Sequence, residues 1–229
     1  MSQPLQIAID GPVAAGKGDI AARLARDLGI IYIYTGAMYR ALALSCLRAG
    51  VAAKDAPGVL SVLNNSDINL VQPDAGSDIP YKVLLNGEDV THKIFDQEVA
   101  MGASDVSTHS EVRKILVSRQ QEIAKGKRVV MEGRDIGLRV LPQAQLKIYL
   151  TASIAERAKR RFTQRQQKGI TGSFEEVLTD THKRDIQDTT RVHDPLQKLP
   201  DAWELDTTNL TQDEVVVKIK DELRQRKLL

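Results

Sequence analysis

A glycine-bounded loop near the start of the chain lies between a mostly apolar run and a helical pattern. Residues 5–9 predict a short buried strand, and from Ile20 the apolar side chains recur at helical spacing until Gly29. The loop of residues 10–19 reads Asp-Gly-Pro-Val-Ala-Ala-Gly-Lys-Gly-Asp. A strand, a glycine-rich loop and a helix in this order are the setting of a phosphate-binding loop, which predicts an α/β fold.

The glycines and the lysine of this loop have separate physical roles. Backbone N–H groups must curl around phosphate oxygens, and Gly11 and Gly16 leave room for that approach. Lys17 supplies a mobile positive charge for the β- and γ-phosphates. The hydroxyl that usually follows the lysine and contacts magnesium is replaced by Gly18 and Asp19, so an ordinary strand-to-helix turn stays an alternative.

The chain of 229 residues is long enough for one sizeable core with appended pieces. Its 32 basic and 30 acidic residues nearly cancel, which argues against a bulk nucleic-acid or polyanion binder. Cys46 is the only cysteine, which excludes an intramolecular disulfide and a cysteine metal cluster and indicates a reducing cytoplasm. The four histidines show no metal-ligand spacing. With no leader and no apolar run of membrane length, we expect neither export nor membrane insertion.

A second strand is predicted at residues 30–33, followed by a helix that runs through Leu47 and is capped by Gly50. Arg40 lies in the first turn of this helix, where the helix dipole disfavours a cation. Its position suggests an anionic partner, although a solvated surface arginine is the simpler alternative.

Residues from about 64 to 98 change to a period of two around Asn86-Gly87, which predicts a small antiparallel hairpin or meander with a linking loop at residues 73–80. This segment has the character of an insertion in an α/β chain. Helical patterns return from Glu98, and a second helix carries Arg113 in its first turns.

A buried strand predicted at residues 128–131 ends in Glu132, Gly133, Arg134 and Asp135. A plain turn needs only the glycine, so the mixed charges favour a functional site at the mouth of the strand. Polar residues at such strand ends bind ligands in open parallel sheets.

After another strand at 146–150, Ser153 and Glu156 predict a capping box that opens a basic helix. Its cations are Arg157, Lys159, Arg160, Arg161 and Arg165. A solvated basic face and a nucleic-acid patch are two interpretations. A third fits the glycines that follow at 169 and 172: a mobile lid whose arginines reach phosphates when it closes.

Ser173 and Glu176 predict the next helix, in which Arg184, Asp188 and Arg191 share one face. That face overlaps an apolar stripe, so these charges are expected to line a cleft; a surface ion pair is the alternative. A strand at 203–205 and a helix opened by a further capping box at 211–214 end the chain.

Taken together, these stretches resemble the bacterial cytidylate kinases, a family of P-loop nucleoside monophosphate kinases. The resemblance runs in family order across nearly the whole chain. Its matching stretches are residues 9–12 with 16–18, 35–40, 103–106 with 112–113, 133–135, 156–158 with 160–161, 184–185 with 188 and 191, 195–196, and 205–208.

The resemblance implies a three-layer αβα P-loop fold with a parallel central sheet, a small antiparallel β insertion and an arginine-rich helical lid. It divides one kinase unit into a core at 1–35, 107–155 and 187–229, a nucleoside-monophosphate region at 36–106 with its insertion at about 64–98, and a lid at about 156–186. The implied partners are small nucleotides, with no nucleic acid and no membrane, and the implied state is a cytoplasmic monomer.

The implied reaction is phosphoryl transfer from ATP, with Mg²⁺, to CMP or dCMP. The ATP phosphates would be held by Gly11, Pro12, Val13, Ala14, Ala15, Gly16, Lys17, Gly18 and Asp19. Cytosine would be read by Thr35, Arg113 and Asp135, the sugar would lie near Ser104, Arg184 and Asp188, and the acceptor phosphate would be held by Arg40, Arg134 and Arg191. Catalytic roles fall to Lys17, Arg134, Arg157, Arg161 and Arg191, and no side chain is assigned as a metal ligand.

Two positions depart from the family pattern. Tyr34 stands where an acidic residue is common, and Asp19 replaces the usual Thr or Ser. A carboxylate near the phosphates would repel them unless it turns away or engages magnesium through water. Alternatives are therefore another P-loop small-molecule kinase, for UMP, AMP, dTMP or shikimate, or a catalytically weak nucleotide-binding homologue.

Overall fold

The computed structural model describes residues 4–73, 77, 79–167 and 169–229. The linking loop predicted at 73–80 therefore lies partly outside the described residues. The chain packs as two compact units, one formed by residues 1–31 with 127–229 and the other by residues 32–126. In the described ranges, no helix has the length and apolarity needed to cross a membrane.

The first unit is built on a parallel β-sheet. Its strands are β1 Gln6–Asp10, the start of β2 Ile31–Tyr34, β6 Val129–Gly133, β7 Leu146–Thr151 and β8 Trp203–Asp206. Their order in the sheet is β2-β6-β1-β7-β8. The chain enters β2 through Ile31, whose N–H donates to the carbonyl oxygen of Arg128 at 3.0 Å. The central strands are almost wholly buried, as expected for a parallel sheet flanked by helices.

The helices of the first unit follow the predicted apolar periodicities. They are α1 Lys17–Leu28, α6 Ile154–Gln167, α7 Phe174–Thr190 and α8 Gln212–Gln225, with a π-helical turn at Ile136–Val140. Gly29 ends α1 in the left-handed conformation, as its sequence position predicts. The capping boxes predicted at Ser173 and at Thr211 are both present.

The capping box predicted at Ser153 and Glu156 is wrong in one of its two arms. Glu156 N–H does donate to Ser153 Oγ at 3.3 Å, but the N–H of Ser153 donates to Thr208 Oγ1 at 2.9 Å. The Glu156 carboxylate instead accepts from Arg160 Nε at 3.0 Å. Long-range and i, i+4 partners have replaced the return bond of the box.

The second unit has a hydrophobic core of its own, formed where helices pack on a small antiparallel sheet. Its elements are the remainder of β2, α2 Gly36–Arg48, α3 Ala56–Asn64, β3 Ile68–Val71, β4 Lys82–Leu85, β5 Glu88–Asp89, a 3₁₀ turn at Lys93–Phe95, α4 Gln97–Val106 and α5 Ser110–Ala124. The predicted insertion is confirmed as the three-strand sheet β3-β4-β5, and its tight turn uses Asn86 and Gly87 at positive φ.

Helix α3 was not predicted, although the sequence carries a signal for it. Asp55 is its N-cap and accepts a hydrogen bond from Gly58 N–H at 3.3 Å, and Pro57 lies in its first turn. Aspartate followed by proline in the first turn is a standard helix start.

Candidate active site

The loop between β1 and α1 has the backbone geometry of a phosphate-binding loop. Gly11 and Gly16 have positive φ angles of 154° and 92°, and Ala14 adopts a left-handed φ of 58°. A Cβ on Gly11 would lie 2.0 Å from the carbonyl oxygen of Leu150 in β7, so only glycine fits there. The loop is thus shaped by its own glycines and by the neighbouring strand.

Lys17 is the first residue of α1 and is buried against this loop. Its Nζ donates to the carbonyl oxygens of Gly11 and Pro12 at 2.9 and 2.8 Å. Burial, and after it the positive charge of Arg134, lowers the pKa of Lys17, while the carboxylate of Glu132 acts in the opposite direction. The ammonium group is therefore costly to keep charged here, and an added anion would stabilise it.

Asp19 turns toward the start of α8. Its Oδ2 accepts a hydrogen bond from Gln212 Nε2 at 3.0 Å, and the residue is solvent-exposed. The carboxylate is thus held toward α8, but Asp19 still lines a cavity beside the loop, so it is turned away from a bound phosphate only in part.

A cavity of about 290 Å³ opens beside the loop within the first unit. Ile20, Leu210 and Val215 give it apolar walls, while Gln164 and Thr207 are among its polar lining residues. Apolar walls with a few polar groups suit a planar heterocyclic base. The position next to the loop marks it as the candidate pocket for the base of the phosphoryl donor.

Charged side chains cluster where β6 ends. Arg134 Nε donates to Asp188 Oδ2 at 2.6 Å, and Arg184 Nε lies 3.4 Å from the other oxygen of that carboxylate. Arg191 Nη2 lies 3.8 Å from Oδ1 of Asp135. Five predicted residues thus form two sets of ion pairs, one on Asp188 and one on Asp135. Their side chains are at most 27% exposed, which favours a cleft over a solvated surface.

Arg191 was predicted to lie within helix α7, but it follows the last residue of that helix. Helix α7 ends at Thr190, and Arg191 caps it with extended backbone angles. Its Nε and Nη2 donate to the carbonyl oxygen of Asp194 in the following turn. The side chain is nonetheless buried, so its charge remains inside the first unit.

The turn after β6 is fixed by a carboxylate on the neighbouring strand. Asp10, the last residue of β1, accepts hydrogen bonds from the N–H groups of Ile136 and Gly137, both at 2.8 Å. Burial raises the pKa of Asp10 to about 6, against the lowering effect of those two N–H groups. This contact holds the π-helical turn that follows Arg134 and Asp135.

The basic helix α6 packs lengthwise on α7. Arg165 pairs with Asp180 at 3.6 Å, and the rings of Phe162 and Phe174 meet edge to face. Arg160 donates to Thr207 Oγ1 and to its carbonyl oxygen at 3.1 and 2.7 Å. Arg157 is buried in this packing, whereas Arg161 on the same helix is half-buried.

In the second unit, the partners of Arg40 among the described residues are uncharged groups. Its Nε donates to the hydroxyl of Tyr34 at 2.9 Å and its Nη1 to the carbonyl oxygen of Ile94 at 3.0 Å, with the guanidinium over the Phe95 ring. A Cβ on Gly36 would lie 2.5 Å from the Tyr34 ring, so the tyrosine and the glycine fit each other. At position 34, Arg40 therefore meets a hydroxyl group and not the carboxylate that the resemblance led us to expect.

Thr35, Ser104 and Arg113 are all buried in the second unit. Thr35 is the N-cap of α2, and Arg113 Nη1 donates to the carbonyl oxygen of Ser107 at 3.3 Å. A larger open groove of about 640 Å³ in this unit is lined around Asn65 and Arg119 and contains none of the predicted site residues.

Three acidic residues of the first unit were not predicted as site residues: Asp10, Glu132 and Asp185. Asp10 adjoins the loop motif, and Glu132 opens the charged quartet after β6, so both stood beside recognised signals. Asp185 lies in the stretch 184–185 that resembles the family, but its pairing with Arg157 was not predicted, because the two residues are 28 positions apart in the chain.

The protein-family model described as "Cytidylate kinase" matches residues 7–225, nearly the whole chain. The chain belongs to the cytidylate kinase family. The α/β fold with its phosphate-binding loop, predicted from the sequence, is confirmed.

Relatives align with this chain over nearly its whole length. The cytidylate kinase of Caldicellulosiruptor saccharolyticus is 49% identical over 215 residues, which cover 94% of this chain and 93% of that protein. The cytidylate kinase of Geobacillus kaustophilus is 44% identical over 226 residues, with 99% of each chain covered. The crystal structure of an uncharacterized protein from Eubacterium ventriosum aligns at 11% identity with a TM-score of 0.50, covering 96% of this chain and 98% of that one, a likeness of fold alone.

Membership of this family makes the protein a nucleoside monophosphate kinase, a transferase whose phosphoryl donor is ATP. No similarity favours a different small-molecule kinase over this assignment.

Proposed function

We propose that the protein transfers the γ-phosphoryl group of ATP to CMP and to dCMP, giving ADP and CDP or dCDP. One observation carries the chemistry: a phosphate-binding loop with buried Lys17 lies in the same unit as partly buried ion pairs that hold Arg134, Arg184 and Arg191. Such a charge distribution suits two polyanions that must be brought together.

The reaction needs positioning and charge neutralisation more than proton transfer. An oxygen of the CMP phosphate attacks the γ-phosphorus of ATP, and the bond from that phosphorus to the β–γ bridging oxygen breaks, releasing ADP. The attacking oxygen is already anionic at neutral pH, so no general base is required. Lys17 and the arginines offset the repulsion between the two reactants and align them.

In the proposed assignment, residues 11–19, which include Lys17, hold the ATP phosphates. Acceptor-binding residues of the first unit are Arg134, Asp135, Arg184, Asp188 and Arg191, and those of the second unit are Thr35, Arg40, Ser104 and Arg113. Arg157 and Arg161 complete the proposed catalytic set from helix α6.

Magnesium is proposed as the metal cofactor, and the available donors fit it. Among the described residues, no group of three or more His, Cys, Asp and Glu side chains could hold a metal ion. Mg²⁺ usually keeps several waters and binds through one or two carboxylates and the substrate phosphates. The buried carboxylate of Glu132, whose charge acts on Lys17, is the side chain that would hold the hydrated ion. When bound, Mg²⁺ neutralises charge on the phosphates.

An acceptor panel tests the proposal. CMP, dCMP, UMP and AMP are compared side by side in an assay coupled to ADP release. We expect CMP and dCMP to be the preferred acceptors, and a preference for AMP or for a non-nucleotide acceptor would contradict the assignment. We also expect slow ATP hydrolysis in the absence of CMP, because a closing lid excludes water.

The acceptor-phosphate role of Arg191 has its own test. Arg191→Ala is expected to lower turnover with CMP by on the order of a hundredfold. Wild-type turnover in a correctly folded variant would remove Arg191 from the site. We place the activity in the cytoplasm and expect a monomer, on the family alone.

A further inference from the structure

Arg157 joins the end of β7 to the phosphate-binding loop. Its Nε donates to the carbonyl oxygen of Ala152 at 2.9 Å, and its Nη1 donates to the carbonyl oxygen of Val13 at 3.2 Å. The side chain is only 7% exposed. A buried guanidinium in this position needs a counter-charge, since desolvation of an unpaired cation is costly.

Asp185 on α7 supplies that counter-charge in a two-pronged contact. Arg157 Nη1 donates to Oδ1 at 2.9 Å and Nη2 to Oδ2 at 2.6 Å. Such a fork fixes the plane of the guanidinium as well as its position, which a single contact would not do. The orientation of Arg157 toward Val13 is therefore set from α7.

The peptide that Arg157 holds is the strained one of the loop. Val13 precedes Ala14, whose φ of 58° is unusual for a residue other than glycine. In a trans peptide the carbonyl oxygen of Val13 and the N–H of Ala14 point in opposite directions. By binding the carbonyl, Arg157 holds the N–H of Ala14 in a fixed direction in a loop whose N–H groups bind phosphate.

Helix α7 also carries Arg184 and Asp188, which belong to the charged cluster with Arg134. Successive helix residues are rotated by about 100° from one another. Asp185 therefore points to the donor loop from the same turn in which Arg184 points to the acceptor cluster. One helix thus orders both halves of the site.

We propose that Asp185 is a positioning residue that sets the phosphate-binding loop for ATP through Arg157. The proposal rests on the proposed function for its kinetic consequences. Its direct consequence concerns ATP binding alone: loss of the Asp185 charge releases Arg157, and the Val13–Ala14 peptide loses its fixed orientation.

The test compares Asp185→Asn with Asp180→Asn. Both changes remove one carboxylate that pairs with an α6 arginine, but Asp180 is 49% exposed, and no contact of the Arg165–Asp180 pair with the loop is found among the described residues. ATP affinity is measured by calorimetry without CMP, and KM for each substrate is measured by coupled assay. For Asp185→Asn we expect Kd and KM for ATP to rise about tenfold, since loss of geometry at a reacting centre is expensive. KM for CMP should stay within about twofold, as should every parameter of Asp180→Asn.

An unchanged ATP affinity in Asp185→Asn would overturn the proposal, as would equal losses for ATP and CMP, which would indicate a general loss of structure. Because calorimetry needs no acceptor, it also separates the two proposals. A wild-type protein that forms no CDP refutes the proposed function, while the loss of ATP affinity in the variant still tests Asp185.

A second pair of variants tests whether Asp185 acts through Arg157. Arg157→Lys keeps the charge but cannot form the two-pronged contact. The double variant should bind ATP no more weakly than Arg157→Lys alone, and independent, additive losses would contradict the route through Arg157. Arg157 belongs to the proposed catalytic set, so its variants alone do not isolate Asp185. Should Asp185→Asn fail to fold, Asp185→Glu, which keeps the charge but displaces the two-pronged contact, must still show a selective loss of ATP affinity.

Discussion

Arg134 donates from Nε to Oδ2 of Asp188 at 2.6 Å, and the same carboxylate lies 3.4 Å from Arg184. Asp188 is 3% exposed. Burial alone would raise the pKa of Asp188, but the guanidinium of Arg134, followed by that of Arg184, outweighs it and holds the pKa below its ordinary value. One carboxylate therefore stays ionised and orders two cations in the charged cluster.

Asp188→Ala should leave these two partly buried cations without their shared counter-ion. We expect the free energy of unfolding to fall by about 2 kcal/mol, less than the roughly 3–5 kcal/mol of a fully buried broken pair, because both arginines are partly exposed. CMP affinity should fall as well, because Arg184 and Arg134 lose their fixed positions. Urea unfolding and calorimetry measure the two effects.

Asp201→Ala is the matched control. It breaks an ion pair with Lys147 in which the acid is largely exposed, and should lower the free energy of unfolding by less than about 1 kcal/mol. Equal losses in the two variants would contradict the role of Asp188.

Lys17→Ala should lower turnover with CMP by about a hundredfold or more, since it removes the positive charge that we propose binds the transferred phosphate. The fold should remain intact, because Lys17 Nζ donates only to the loop carbonyl oxygens of Gly11 and Pro12 among the contacts described. Circular dichroism and thermal unfolding check the fold, and Lys220→Ala, which removes an outer α8 cation paired with Asp27, is the matched control. A Lys17→Ala enzyme with wild-type turnover would show that the loop does not hold the donor phosphates.

Asp19→Thr restores the hydroxyl usual in this family and removes a negative charge from the first turn of α1. We expect kcat/KM for ATP to rise roughly fivefold, because two unit charges a few ångströms apart in water repel by about 1 kcal/mol and the Asp19 carboxylate is exposed. The gain should shrink at high salt, because the carboxylate is exposed and its field is screened.

Asp213→Asn controls for net charge, since Asp213 is an exposed neighbour that pairs with Arg23. A gain of the same size in both variants would mean that total charge, and not the position of Asp19, limits donor use. If neither variant changes kcat/KM, the hydrogen bond from Gln212 already keeps the Asp19 carboxylate clear of the phosphates.

Local rules predicted the elements whose determinants are close in the chain. The cap at Thr211, the Asn86-Gly87 turn and the stop at Gly29 each depend on residues within a few positions. The rules failed where distant residues intervene. Thr208 takes the N–H of Ser153 from 55 positions away and so cancels half of a capping box.

The candidate site shows the same division. The order of the motifs was enough to propose Lys17, Arg134 and Asp188 as site residues, because their signals are residue types at fixed spacings. The contacts of Asp185 with Arg157 and of Asp10 with Gly137 depend on which faces of α7 and β1 meet which turn. No spacing within a single segment encodes that choice.

The buried carboxylate of Asp10 gives the stability of the protein a distinct dependence on pH. Its pKa is raised from 3.8 to about 6, chiefly by burial. Between these values the folded protein holds a proton that the unfolded chain releases, so the contribution of Asp10 is full below the lower value and is lost as pH rises through the upper one. The whole change is on the order of 3 kcal/mol.

Urea unfolding of the wild type and of Asp10→Asn from pH 4 to pH 8 isolates this contribution as a difference. The asparagine offers one acceptor oxygen to the two N–H groups of Ile136 and Gly137, so the variant should be less stable than the wild type near pH 4, where the contribution of Asp10 is full. The difference between the two proteins should be largest near pH 4, decrease toward pH 6 and be level above pH 7. Asp206 has a pKa lowered from 3.8 by its hydrogen bond from the Thr208 hydroxyl, so Asp206→Asn should give a difference that is nearly level from pH 4 to pH 8 and decreases only at lower pH. A difference for Asp10→Asn that grows with pH would mean that N–H donation outweighs burial, and that Asp10 is ionised throughout this range.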